Sequence, residues 1–428
     1  MIERALLRVV HAERAEIAGL LWSFAYFFTV LCAYYIIRPV RDEMGVVVGP
    51  SGLERLFLIV FFVMLAVVPL FGWVVSAFAR RRIVPIVYGF FIANLLVFWA
   101  LFRGGAHGAM VAGAFFVWVS VFNLFVVSLF WILMSDLWRN DQAKRLYGFI
   151  AAGGSAGALA GPLLTQSLVG VVGTSNLLLL SALLLAGAAV AAVALRRLFA
   201  GLAGSGEEQP IGKGLLAGAV AVWQSPYLFR IALWILLANL VGTLFYLEQS
   251  RIVGETLTDR ADRVRLFARI DLLVSVLTIL AQLFLTGRFL ERFGVGAAAA
   301  VLPASAALGL VALAVSPTLG VIVTIMAMER AIAFALANPA IKVLYTVVGE
   351  EEKYKAQNFN DTVVFRAGDA ASGWVFNSLA KGLGLGLGAT AAATLPIALV
   401  WLGLSLALGR QQAARTTPVR ATAAGRAA

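Results

Sequence analysis

The sequence predicts an all-α polytopic membrane protein with twelve transmembrane helices in two six-helix halves, and three observations carry that prediction. Of 428 residues, 61% are hydrophobic and only 13% charged, with a mean hydropathy of +0.93, whereas soluble domains are roughly 25% charged. Uncharged runs of about 20 residues, the length that crosses a bilayer core, recur along the chain. At one helix and loop per ~36 residues, the length allows about twelve of them.

Taken in order, the runs cover Ile17 to Ile37, Leu56 to Ala79, Ile83 to Phe102 and Gly108 to Ser135. Leu146 to Leu195 is twice a span's length and must turn back, at Gly173-Thr174-Ser175-Asn176, where turn formers cluster. Residues 196–225, with a Gly-Ser-Gly-Glu-Glu-Gln-Pro stretch, form the expected cytoplasmic linker between halves at 1–195 and 226–409. Ile231 to Leu247 and Arg269 to Thr286 then supply one span each, and Phe293 to Met328 breaks at Ser316-Pro317. The tenth helix continues through Glu329 and Arg330 to Tyr345, the eleventh runs from Thr362 to Ala380, and the twelfth from Gly388 to Gly409. Residues 410–428, with Arg410, Arg415, Arg420 and Arg426 among Ala and Thr, are expected as a disordered basic tail touching anionic lipid.

Composition also excludes functions. The single cysteine, Cys32, allows no intramolecular disulfide and no cysteine metal site. His11 and His107 stand far apart, leaving little material for a zinc hydrolase or a histidine-activated nucleophile. The Gly-rich fifth helix lacks the strand and the Lys of a phosphate-binding loop. No enzyme, no cofactor and no metal is therefore expected, and there is no sizeable soluble domain to serve a sensor. The net charge of +12 reads as topology rather than nucleic-acid binding. Placing both termini in the cytoplasm puts most Lys and Arg on that side, so the expected location is a bacterial inner membrane. Arg4, Arg8 and Arg14 precede a run without a cleavage site, which predicts a retained first helix. A monomer is expected.

The loop after the eighth span reads Gly287-Arg288-Phe289-Leu290-Glu291-Arg292-Phe293-Gly294 and resembles the Gly-x-x-x-(Asp/Glu)-Arg-x-Gly signature of the major facilitator superfamily. A weaker copy starts at Gly72, with Ser76 at the acidic position, Ala79 at the final Gly and Arg80-Arg81-Arg82 as its cationic cluster. Half a chain separates the copies, as two parallel repeats require. The resemblance implies gating loops at Gly72, Arg80, Gly287, Glu291, Arg292 and Gly294, which hold helix ends in one access state and release them in the other. In the fifth helix, Gly153 through Gly161-Pro162 sets small residues at four-residue spacing for close helix packing.

Charged groups inside a bilayer need a partner or an aqueous cavity. Arg38, Arg41 and Asp42 close the first helix beside Tyr34 and Tyr35; Glu248 and Arg251 end the seventh; Glu329, Arg330 and Lys342 lie along the tenth. Arg366 and Asp369 share a face of the eleventh at i, i+3, as an ion pair or as ligand groups. Arg38 and Arg41 fit interfacial anchors, and with the two tyrosines they equally fit a phosphate and a base.

The string Arg38-Pro39-Val40-Arg41-Asp42 resembles the Arg-x-x-Lys-Asp of the ATP/ADP translocase family of plastids and intracellular bacteria, an exchanger group of major-facilitator type. Phe130-Trp131, Ala143-Lys144-Arg145-Leu146-Tyr147, Ser225-Pro226-Tyr227-Leu228, Asn338-Pro339 with Tyr345, and Lys355 with Asp361 are similar to further family motifs, and Glu248 falls at its acidic position in the seventh helix. Gln357 replaces a family Lys, and the acid of the fourth helix has no counterpart at Val119 to Asn123. The resemblance implies a divergent bacterial relative that exchanges a nucleotide or another phosphorylated metabolite by alternating access about a midplane cavity. Arg38, Arg41, Asp42, Glu248, Arg330, Lys342 and Lys355 are then its substrate-binding candidates, and Glu329, Arg366 and Asp369 its coupling or ion-pair candidates. A proton-coupled exporter of lipophilic or zwitterionic compounds is the alternative on the same fold, with protons as the coupling ion at Glu329 or Asp369.

Overall fold

The computed structural model describes residues 13–77, 80–106, 108–199, 215–379 and 384–427. Arg4, Arg8, His11, His107, Ala79, Ala380 and linker residues 200–214 lie outside them. All regular structure among the described residues is helical: α1 (Ile17–Val48), α2 (Pro50–Ala77), α3 (Arg80–Arg103), α4 (Ala109–Leu137), α5 (Asn140–Val172), α6 (Asn176–Leu198), α7 (Leu215–Gln224), α8 (Pro226–Thr256), α9 (Arg260–Ala281), α10 (Gly287–Val315), α11 (Leu319–Ile332), α12 (Asn338–Leu344), α13 (Glu350–Phe359), α14 (Phe365–Asn377) and α15 (Leu387–Ala427).

Ten stretches are long and apolar enough to cross a membrane, and one of them, Arg260–Val315, is 56 residues long. Inside it Gly294 adopts φ 79° and ψ 173°, a conformation open to Gly because it has no Cβ, so the stretch breaks into two. The predicted eleventh span, α14, carries Arg366 and Asp369 and is not among the ten. The turn predicted between the fifth and sixth spans falls at Gly173, which caps α5 at φ 81°. Large apolar side chains such as Phe62, Trp73, Phe90, Leu183, Leu308 and Val400 are exposed, which suits a lipid environment rather than water. The chain is a multi-pass membrane protein. Helix α15 runs on to Ala427, through the segment read from sequence as a tail.

Two compact units divide the chain. Unit 1 is Met1–Val48, Ala66–Gln209 and Leu257–Ser275; unit 2 is Gly49–Leu65, Pro210–Thr256 and Val276–Ala428. The division differs from the two sequence halves, because it passes through α2 and α9.

Unit 1 is organised around α1. A Cβ on Gly153 or Gly157 of α5 would overlap the backbone of Phe24 or Phe28, and one on Gly161 would lie 2.7 Å from the Cβ of Tyr35. The small-residue stripe thus lets α5 lie against α1 almost backbone to backbone. Thr165 and Ser181 donate to the carbonyls of Ile36 and Ala33 at 3.4 and 2.9 Å, satisfying hydroxyls that water cannot reach. The Tyr26 and Tyr88 hydroxyls share a buried hydrogen bond of 2.7 Å. The first part of α9 is held here by Ser275, whose hydroxyl donates to the Ala158 carbonyl at 3.2 Å.

In unit 2, α10 runs along α15, and glycine allows the approach: a Cβ on Gly388 would lie 2.6 Å from the Ala314 carbonyl oxygen. Trp234 of α8 donates to Ser405 at 2.8 Å, and Tyr227 to the Leu344 carbonyl at 2.8 Å. The π-helical turns Gln282–Thr286, Ala333–Ala337 and Asn360–Val364 lie in unit 2. The first two are joined by Thr286, which donates to the Ala335 carbonyl at 2.7 Å. Such wide turns interrupt the helical ladder and recur at functional sites.

Candidate functional site

Several charged groups inside the spans gather in two clusters, one in each unit. In unit 1 the last turns of α1 carry Arg38 and Arg41 on one face at i, i+3. Arg38 Nη1 lies 3.2 Å from Asp271 Oδ1, with Asp271 buried in the first part of α9. The Arg38 guanidinium also lies 5.6 Å from the Tyr35 ring centroid, and that of Arg41 lies 4.2 Å from the Phe116 centroid. Both positions are within cation–π range. Asp42 is buried in the next residue. One residue further, Glu43 is fully buried and binds Arg260 through two parallel contacts, Nε to Oε1 and Nη2 to Oε2, each 3.0 Å.

The unit 2 cluster is built round residues 239–243 of α8. Thr243 donates to Asp369 Oδ1 at 3.1 Å, and Arg366 Nη1 lies 3.5 Å from Asp369 Oδ2. The sequence left Arg366 and Asp369 open between ion pair and ligand groups; here they pair within α14. Gly368, between them, faces α8, where its added Cβ would come 2.8 Å from that of Asn239. Glu329 reaches the same stretch from α11: a Cβ on Gly242 would lie 3.4 Å from its Oε1. No hydrogen bond or ion pair joins Glu329 to another described residue. The structure therefore brings Glu329, Arg366 and Asp369 to one stretch of one helix. Arg330, adjacent to Glu329, projects about 100° away from it.

Other predicted site residues stand apart. Glu248 is fully buried on α8, and neither carboxylate oxygen has a hydrogen-bond partner among the described residues. Lys342 is twelve positions beyond Arg330, about 18 Å along a helix, and pairs with Asp361 at 2.9 Å where both are exposed. Lys355 is half-buried on α13, whose backbone packs against Gly218 of α7. In the loop copies, Gly287 opens α10. Glu291 and Arg292 are exposed, Glu291 makes no ion pair among the described residues, and Arg292 lies 5.5 Å from the Phe293 ring centroid. Gly72 lies within α2, and Arg80 begins α3.

Three participants were missed from sequence: Asp271, Glu43 and Arg260. Asp271 was visible as an acid inside a predicted span, which needs a partner. Its pairing with Arg38, far away in the chain, had no local signal. Glu43 and Arg260 have no sequence spacing that signals their pairing.

No family model matches the sequence, and no curated protein matches it significantly. Solved structures do match. A bacterial homologue of the iron transporter ferroportin, in an inward-facing state, superposes with a TM-score of 0.62 at 13% identity, covering 94% of this chain and 98% of that one. The fold is of major-facilitator type. The nucleoside transporter NupG gives a TM-score of 0.57 at 15% identity, over 94% of this chain and 99% of that one. A bacterial homologue of the human lysosomal transporter Spinster, inward-facing and unoccupied, gives 0.57 at 14%, over 94% and 99%.

Proposed function

We propose that this protein is a secondary transporter of an organic anion, working by alternating access, with a nucleotide or another phosphorylated metabolite as substrate. The observation that carries the reading is the end of α1. Two arginines there stand inside a membrane-spanning helix on one face, each guanidinium over an aromatic ring. Burying such charges costs several kcal/mol each, a cost that function justifies better than packing does. Arg binds phosphate oxygens bidentately, and neighbouring rings offer faces on which a base can stack. The motif resemblance to ATP/ADP exchangers and the transporter fold point the same way.

Within this reading Arg38 and Arg41 hold anionic oxygens, with Asp42 orienting them. Arg330, Lys342, Lys355 and Glu248, all of unit 2, are the remaining substrate-binding candidates of this reading. Thermal stabilisation of the detergent-purified protein across nucleotides, sugar phosphates, dicarboxylates and cationic drugs tests it, since a ligand that binds only the folded state raises its stability. A shift with ATP or ADP that disappears in Arg41→Gln is the expected result. A shift with cationic drugs alone overturns it.

A second reading is favoured by one observation, that Glu329 near the end of α11 makes no ion pair among the described residues. Such an acid suits a proton-coupled exporter of lipophilic or zwitterionic compounds, with Glu329 or Asp369 carrying the proton. Counter-exchange needs no titrating group, so transport that survives collapse of the proton gradient supports the first reading and transport that stops supports the second.

A further inference from the structure

Two arginine–carboxylate pairs that join α1 to α9, Arg260–Glu43 and Arg38–Asp271, differ in a way that bears on how an anion is bound. Arg260 and Glu43 meet fork to fork, with two contacts of 3.0 Å, the geometry that satisfies both groups. Arg38 and Asp271 meet through a single Nη1 to Oδ1 approach of 3.2 Å. The Nε of Arg38 is buried and has no hydrogen-bond acceptor among the described residues. A guanidinium has five N–H donors in a planar fork, so Arg38, whose side chain is 17% exposed, has donor capacity left over.

We propose that Asp271 is a resident counter-carboxylate, a stand-in that the substrate's anion displaces from Arg38. The inference rests on the anion reading and adds to it a competitor within the protein and a requirement on the substrate. A ligand with two coplanar anionic oxygens, as on a phosphate, can engage Nε and Nη together, which Asp271 does not. Displacement removes the Arg38–Asp271 contact between α1 and α9, while Arg260 and Glu43 keep the same α9 segment clamped to α1.

The test is the dissociation constant for pyrophosphate and for ADP, by calorimetry on the full-length protein, in the wild type and in Arg38→Gln, Asp271→Asn and Asp271→Glu. Removing the competing charge is expected to tighten binding about tenfold or more in Asp271→Asn. Asp271→Glu keeps the charge and should stay near the wild type, and Arg38→Gln should abolish binding. Wild-type binding that is lost in Arg38→Gln but unchanged or weakened in Asp271→Asn overturns the inference and leaves the anion reading standing. If neither the wild type nor Asp271→Asn binds either probe, the anion reading itself is overturned. Should Asp271→Asn fail to fold, Asp271→Ser gives the same comparison.

Discussion

Glu43 and Arg260 are joined by two parallel hydrogen bonds of 3.0 Å between α1 and α9, with the carboxylate fully buried. The carboxylate cannot recover its hydration if the arginine is removed, so the pair is a structural clamp whose loss leaves an uncompensated charge. Arg260→Ala is expected to destabilise the protein by about 3–5 kcal/mol, visible as a lowered unfolding temperature in detergent. Replacing both residues with apolar side chains of similar size should recover much of that. Equal loss in the single and double variants would show that the pair is not acting as a pair.

Gly157 predicts a steric outcome. Its hydrogen sits where a side chain would meet the Phe28 backbone, so Gly157→Leu must push α5 off α1. Monodisperse folded protein should be lost in size-exclusion chromatography. Gly72→Ala, where nothing lies within 4 Å of the added carbon, should be recovered like the wild type.

The start of α1 predicts a pH dependence. Burial alone would raise the Glu16 carboxyl, but the Glu13 backbone N–H, the Gln142 amide and Arg145 together hold it below the usual carboxylate range. A carboxyl with a lowered folded-state pKa adds stability that is fully present above its unfolded value of about 4.3 and is lost as pH falls through the folded value. The gap in unfolding temperature between wild type and Glu16→Gln should therefore be open at neutral pH and close below about pH 4. Parallel curves at every pH would contradict this role for Glu16.

Asp369 links α14 to α8 through Thr243 and is contacted by Arg366 on its own helix. Thr243→Val removes the donor while keeping the shape, so it should cost about 1 kcal/mol of stability and slow transport by weakening the seam between these helices. An unchanged transport rate and unfolding temperature would remove Thr243 from the account.

These relationships differ in how far the sequence reveals them. The spans are legible because lipid demands long apolar runs, and the Gly153 to Gly161 stripe because close packing demands small residues at helical spacing. Arg38, Arg41, Glu329 and Asp369 stand out because charge inside a span is expensive. Partnership is another matter. That Arg38 meets Asp271, and Glu43 meets Arg260, follows from which helices lie side by side, and neither pair has a sequence spacing that signals it. The π-helical turns at Ala333–Ala337 and Asn360–Val364 are likewise silent in the sequence, because a single extra residue in a helical turn leaves hydropathy unchanged. Helix α14 shows the converse, a helix legible from its charged face that, at 13 residues, is not among the stretches long and apolar enough to cross a membrane.

The central claim is anion transport, and exchange in proteoliposomes measures it most directly. Vesicles containing the purified protein are loaded with unlabelled ADP and given labelled ATP or ADP outside, with a protonophore present. The account predicts label uptake that depends on internal nucleotide, persists without a proton gradient and falls to the empty-vesicle level in Arg38→Gln and Arg41→Gln. Label uptake equal to that of empty vesicles in the wild type, or undiminished uptake in both variants, would contradict it.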